Sequence, residues 1–377
     1  MMTPRWMEKQ PKLVQRLLNI VTSFKRCQCD GSYNSSLQIL DFVEHMLRIT
    51  EWSSASDIIE KLRDIGFYLT KSVPEEVTIA NVVRRILHII REEVLLATKT
   101  NDISSPIDAS SLLGSKEHIG RSQSSLELLL TPGSVANPSP PTAKLKSSIM
   151  EAIRELKDEL QNSHVNISDH ATEFILSDEV ILAFGMTSYV VEFFQAAAKK
   201  RQFKVIVAES APSLNGQTLA HQLALSAIDV TVIPDSAVFA IMARVNKVII
   251  PAFAVLADGG LIAQSGLHNI TLAAKTISIP VICVTSLITL CPVYAHDVDT
   301  RNELGNPAQI IEYQDVTDKM AIINPTRDYV PSNLVDLYVT NIGANQASHI
   351  YRVQAEYYSS DDHDFAGGPY STLAILL

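Results

Sequence analysis

The side chains in the second half of the chain that are equipped for proton transfer and stand near loops are Glu209, Asp235, Asp258, His268 and His296. Acid–base catalysis needs two such groups converging on one substrate atom, and spacing along a chain does not establish convergence. The most suggestive neighbourhood is LADGGLIAQSG at 256–266, which follows the apolar run KVIIPAFAV and precedes the helical pattern of ITLAAKTI. A glycine-rich turn between strand and helix can present backbone N–H groups to a phosphate. Its commoner use is simply a tight connection. The candidate ligand residues within it are Asp258, Gly259, Gly260, Ser265 and Gly266.

Other chemistries leave no pattern here. Neither GxGxxG with a downstream acid nor GxxxxGK[ST] occurs, so no dinucleotide or Walker-type nucleotide site is written in the chain. Four cysteines, Cys27, Cys29, Cys283 and Cys291, lack the paired spacing of a zinc site and are too few for a disulfide framework. We expect reduced thiols, no metal and no cofactor. The polar run SSDDHD at 359–364 reads as a solvated turn after a helix rather than as a set of ligands.

Composition narrows the partners. A net charge of −10 with no lysine or arginine block gives no footprint for a phosphate backbone, so direct nucleic-acid binding is not expected. The longest apolar stretches, such as VICVTSLITLCPV at 281–293, are too short to cross a membrane, and Met1 to Arg16 is too charged for a signal peptide. A cytoplasmic location is the expectation.

Several elements must position the candidate residues. Apolar residues recur at helical spacing from Lys12 to Lys99, with breaks at Asp30-Gly31, Trp52-Ser53-Ser54 and Val73-Pro74, predicting four helices and an all-helical domain over 1–99. Serine and proline dominate 100–142, which reads as a disordered insert, and a connecting helix is predicted over 143–167. Over 168–377 the pattern switches to short apolar strands alternating with helices: EVILAF, KVIVAE, VTVI, KVIIPAFAV and PVICVT, with LVDLYV at 334–339 as one more candidate strand. Such alternation means parallel βαβ units, hence a Rossmann-like α/β domain. Ligands of such sheets bind at the carboxyl ends of the strands, where the candidate loops fall.

The strings EVILAFGMTSYVVEFF, VIVAESAP, RVNKVIIPAFAVLADGGL followed by HNITLAAK, and NIGANQASHIYRVQAEYYSSDDHD resemble the regulatory subunits of eukaryotic translation initiation factor 2B. The closing run and the VNKVII block fit the beta class of that family best. The resemblance covers nearly all of 145–377 and extends more weakly into the helical region. It implies a helical domain followed by a Rossmann-like domain of the sugar-phosphate isomerase type. In the isomerases a cysteine after the first strand and an aspartate before the glycine-rich loop do the chemistry; the aligned positions here are Gly185 and Phe253, neither of which can move a proton.

The resemblance therefore implies no enzyme but a regulatory subunit of the complex that exchanges GDP for GTP on initiation factor 2. Its implied partners are the alpha, delta, gamma and epsilon subunits of that complex, and initiation factor 2 itself, with its alpha subunit phosphorylated or not. The loop 256–266 becomes a vestigial ligand frame. An isomerase-like enzyme and a sugar-phosphate or nucleotide sensor are the alternatives.

Overall fold

The computed structural model describes residues 4–26, 31–74, 76–103, 143–294, 302, 304–317, 319–363 and 365. Most of the Ser/Pro-rich insert, Cys27, Cys29 and His296 lie outside these residues.

Four long helices open the chain: α1 (Pro11–Lys25), α2 (Gly31–Ile49), α3 (Ala55–Ser72) and α4 (Val77–Ile103). Their ends follow local chemistry. Pro11 supplies the fixed φ of a first helical residue to α1, and Ser54 caps α3 by accepting the Asp57 N–H at 3.2 Å. Each helix turns an apolar stripe inward, such as Ile79, Val82, Val83, Ile86 and Ile90 of α4. The helix after the insert, α5 (Ala143–Asp169), adds Leu145, Ile149, Ile153, Leu156 and Leu160 to the same core.

The rest is built on a seven-stranded sheet of order β10-β9-β7-β4-β1-β2-β3. Its strands are β1 (Val180–Ala183), β2 (Lys204–Ala208), β3 (Asp229–Ile233), β4 (Lys247–Pro251), β7 (Val281–Val284), β9 (Leu337–Thr340) and β10 (Gly343–Asn345). All pairs are parallel except β9 with β10. Helices α6 (Ser188–Ala198), α7 (Asn215–Leu225), α8 (Leu267–Ile277) and α9 (Ala347–Tyr357) provide the crossovers and the final layer. The period-2 alternation sorts side chains to two faces: Leu182, Val248, Ile250 and Cys283 enter one core, while Ile181, Val205, Ile249 and Ile282 enter the other.

The run 247–255 departs from expectation. It is not one strand: β4 ends at Pro251, and β5 (Ala254–Val255) joins a second, antiparallel sheet with β6 (Leu261–Gln264) and β8 (Arg327–Val330). The helix expected after β3 is also broken, into short pieces over 235–244.

The reading of SSDDHD as a solvated turn is overturned. Asp362 is buried, accepting from Arg63 Nε at 3.0 Å and from Arg91 Nε at 2.8 Å. Arg84 donates to the backbone carbonyls of Asp362 and His363 and lies over the Phe365 ring. The turn after α9 is thus a plug in the helical core. The partners of Asp362 come from α3 and α4, which local sequence cannot announce.

Candidate functional site

In this strand order the chain reverses direction of growth between β1 and β4, and the crevice at the carboxyl ends of those two strands is where a doubly wound sheet receives ligands. Gly185 follows β1 there, and Phe253 follows β4. Gly185 has φ +79°, and a Cβ placed on it would stand 3.0 Å from Pro251 Cγ. Phe253 is 40% exposed, with the Arg327 guanidinium 5.3 Å from its ring centre.

The segment 256–266 does not run straight from strand to helix. Residues 256–260 form the turn of a β5–β6 hairpin, with the Leu256 N–H donating to the Gly260 carbonyl at 2.7 Å and Gly259 at φ +77°. The Asp258 carboxylate accepts the Gly260 N–H at 2.9 Å and the Tyr329 hydroxyl at 2.9 Å. Burial, and then the neighbouring Asp258, push the Tyr329 phenol up to about 12, so it stays a donor to that carboxylate. The Gly259 carbonyl is held by the Tyr338 hydroxyl.

Ser265 and Gly266 follow β6. The Ser265 N–H donates to the Thr326 carbonyl at 3.0 Å. Gly266, at φ +98°, opens α8, and its N–H donates to Asp328 Oδ2 at 2.7 Å. The His268 N–H reaches the same oxygen at 3.3 Å. The start of α8, where free N–H groups and the helix dipole attract an anion, therefore already holds a carboxylate of this chain. Nothing in the loop's own sequence marks Asp328 for this; its position in β8, paired with β6, delivers it.

The other candidates serve the frame. Asp235 accepts the N–H groups of Ser210 at 3.0 Å and Ala211 at 2.7 Å, fixing the loop after β2. Gln264 donates to Ser213 Oγ at 3.0 Å, tying that loop to β6. Glu209 is engaged through its backbone, with N–H to the Ile233 carbonyl, and His268 through its backbone as described. A cleft of about 350 Å³ beside these loops is lined by Phe184, Asp235, Phe239, Gly266, Asn269 and Leu272, among others, and no lysine or arginine lines it. A phosphate in it would meet the Asp235 carboxylate without a cation. Among the described residues no group of His, Cys, Asp and Glu side chains is placed to hold a metal. Cys283 and Cys291 are buried thiols outside any disulfide, and burial pushes the Cys283 thiol up, away from the nucleophilic thiolate.

Residues 28–347 match the family described as the Initiation factor 2 subunit family. The chain belongs to that family. Among curated members it is 38% identical to translation initiation factor eIF2B subunit beta of Dictyostelium discoideum, over 91% of this chain and 95% of the relative. It is 31% identical to the eIF2B subunit beta of Schizosaccharomyces pombe, over 91% of this chain and 96% of that one. Family architecture extends to solved structures. The tetrameric eIF2B-beta2-delta2 complex from C. thermophilum contains a chain that superposes with TM-score 0.69 at 24% identity, covering 95% of this chain and 100% of that one. The 5-methylthioribose 1-phosphate isomerase from Pyrococcus horikoshii OT3 shares the fold at TM-score 0.55 and 14% identity, over 90% of this chain and 87% of that one. Helical region and mostly parallel α/β sheet thus form one architecture across members of the family and an enzyme.

Proposed function

We propose that this chain is a non-catalytic regulatory subunit, of the beta class, in the initiation factor 2B complex that promotes GDP/GTP exchange on initiation factor 2. The observation that carries the reading is its identity of 38% and 31% to two eIF2B beta subunits along nine-tenths of its length. The filled site supports it. Gly185 and Phe253 stand where the isomerases are expected to carry their cysteine and aspartate, and neither can donate or accept a proton. Asp258, Gly259, Gly260, Ser265 and Gly266 are then a vestigial ligand frame in which the backbone N–H groups of Gly259, Gly260, Ser265 and Gly266 are spent within the chain.

A subunit without catalytic side chains acts by binding. An exchange factor accelerates nucleotide release when it holds the nucleotide-poor state of its GTPase more tightly than the loaded state. Phosphorylation of the substrate's alpha subunit adds up to about two negative charges. A regulatory core that holds the modified form in another pose turns an activating contact into an inhibitory one. Assembly with the delta subunit is supported by the beta–delta composition of a complex whose chain shares this fold. Alpha, gamma and epsilon subunits complete the proposed set of partners, and the cytoplasm is the proposed compartment. Among the described residues no helix is long and apolar enough to cross a membrane.

The test is affinity capture of the tagged chain from its own cells, followed by release of labelled GDP from initiation factor 2. Four companion subunits with exchange activity are expected. Recovery as a homo-oligomer without exchange activity, together with turnover of a ribose phosphate, would replace this reading with the isomerase one.

A further inference from the structure

Residues 4–26 reverse the charge of the chain. They carry Arg5, Lys9, Lys12, Arg16, Lys25 and Arg26 against a single carboxylate, Glu8, in a protein of net charge −10. All six cations are exposed, and none forms an ion pair with another described residue.

Their placement on α1 is ordered. Leu13, Leu17, Val21 and Phe24 bury one face of the helix in the bundle. Lys12, Arg16, Asn19, Ser23 and Arg26 recur at the three-and-four spacing that puts them on the other side, in a polar stripe about 20 Å long. Helix stability accounts for Lys25 and Arg26 at the C-terminal end of α1 but not for Lys12 and Arg16. The first turn of α1 holds no acidic residue, and Lys12 within it faces the positive end of the helix dipole.

We infer that this face of α1 docks a short acidic segment of a partner protein. A protein segment suits it better than a nucleic acid for two reasons. No aromatic residue lies in the stripe to stack a base. The cations are also confined to residues 5–26, while the rest of the chain carries more than the whole net charge of −10, which repels an extended polyanion beyond the patch. A short run of glutamates or aspartates engages the stripe without entering that field. The site lies on the helical region and is separate from the carboxyl-edge crevice, so it goes beyond the regulatory-subunit reading and is independent of it.

The test is fluorescence anisotropy of a labelled peptide alternating glutamate with serine, titrated with the full-length chain together with any subunits it retains. The same titration is run with a single-stranded RNA oligonucleotide and with the duplex. The combined variant Lys12→Gln/Arg16→Gln/Arg26→Gln should weaken peptide binding roughly tenfold and lower its salt dependence, at unchanged melting temperature. Lys199→Gln/Lys200→Gln, a control pair of exposed cations elsewhere, should leave binding intact. The inference fails if the peptide does not bind at low salt, if the control pair loses as much as the triple variant, or if RNA binds more tightly than the peptide and through the same three residues. Because the readout does not involve GDP release, a failure here leaves the exchange-factor reading standing, and the converse also holds.

Discussion

Asp362 lies 271 residues after Arg91 in the chain and 2.8 Å from it in the fold. Arg63 approaches the same carboxylate at 2.8 Å, and the side chain of Asp362 has no exposed surface. The carboxylate thus ties the end of the α/β part to the helical bundle. Removing one partner of a buried ion pair leaves the other charge uncompensated, at about 3–5 kcal/mol. Asp362→Ala should lose about that much in urea unfolding. A loss comparable to an ordinary surface substitution would show that water reaches the arginines and relieves them.

Asp328 should contribute as a helix cap. Its carboxylate takes the N–H groups of Gly266 and His268. Asp328→Ala is expected to cost about 1–2 kcal/mol, the range for a lost N-cap with a favourable dipole contact. Thermal melts with and without inorganic phosphate give a second readout. The native chain should show no stabilisation by phosphate, because the helix start is already occupied.

Gly185→Cys tests the absence of chemistry. The residue sits at φ +79° with Pro251 Cγ 3.0 Å from a built Cβ, so a side chain is strained both by backbone and by space. A loss of about 1–2 kcal/mol from the left-handed conformation alone is expected. No isomerase turnover should appear, since Phe253 supplies no acid–base partner. Measurable turnover of a ribose phosphate by the variant would reverse the non-catalytic reading.

Acid should weaken the fold through His164. The ring stacks on Tyr189 at 4.2 Å between centres and meets Tyr33 edge-on at 4.8 Å. Burial lowers its pKa below 6.5, partly offset by Glu192. The unfolded chain therefore binds the proton more readily than the folded one. Stability is full above the unfolded value of about 6.5 and declines as pH falls from there towards the lower folded value. His363, lowered by burial and by Arg84, adds in the same direction. Urea midpoints at mildly alkaline and mildly acidic pH should differ, and His164→Gln should shrink the difference. An unchanged difference would place the effect on other groups.

How far the sequence discloses this molecule depends on how far apart the interacting residues lie. The parallel strands were legible because each is a short, nearly continuous apolar run, as in EVILAF and PVICVT, the pattern of a strand covered on both faces. The hairpin inside 254–264 was not, because Gly259-Gly260 masks the onset of β6, whose four residues alternate buried and half-buried only once its partner β8 is known. The glycine loop itself could be located from sequence, but its occupant could not. Asp328 is 62 residues from Gly266, and Arg63 is 299 residues from Asp362. Such pairs have no local signature, since an isolated aspartate in a polar stretch looks the same whether it is solvated or enclosed.

The continuity of α5 has a mechanical consequence. Leu145 to Leu160 are embedded in the helical core, while Ile167, two turns further along the same helix, belongs to the core beneath the sheet. An α-helix of 27 residues is a stiff rod about 40 Å long. With one end set in each body it acts as a lever with no joint, so a push on the bundle arrives at the strands as a rigid displacement rather than being absorbed by a hinge.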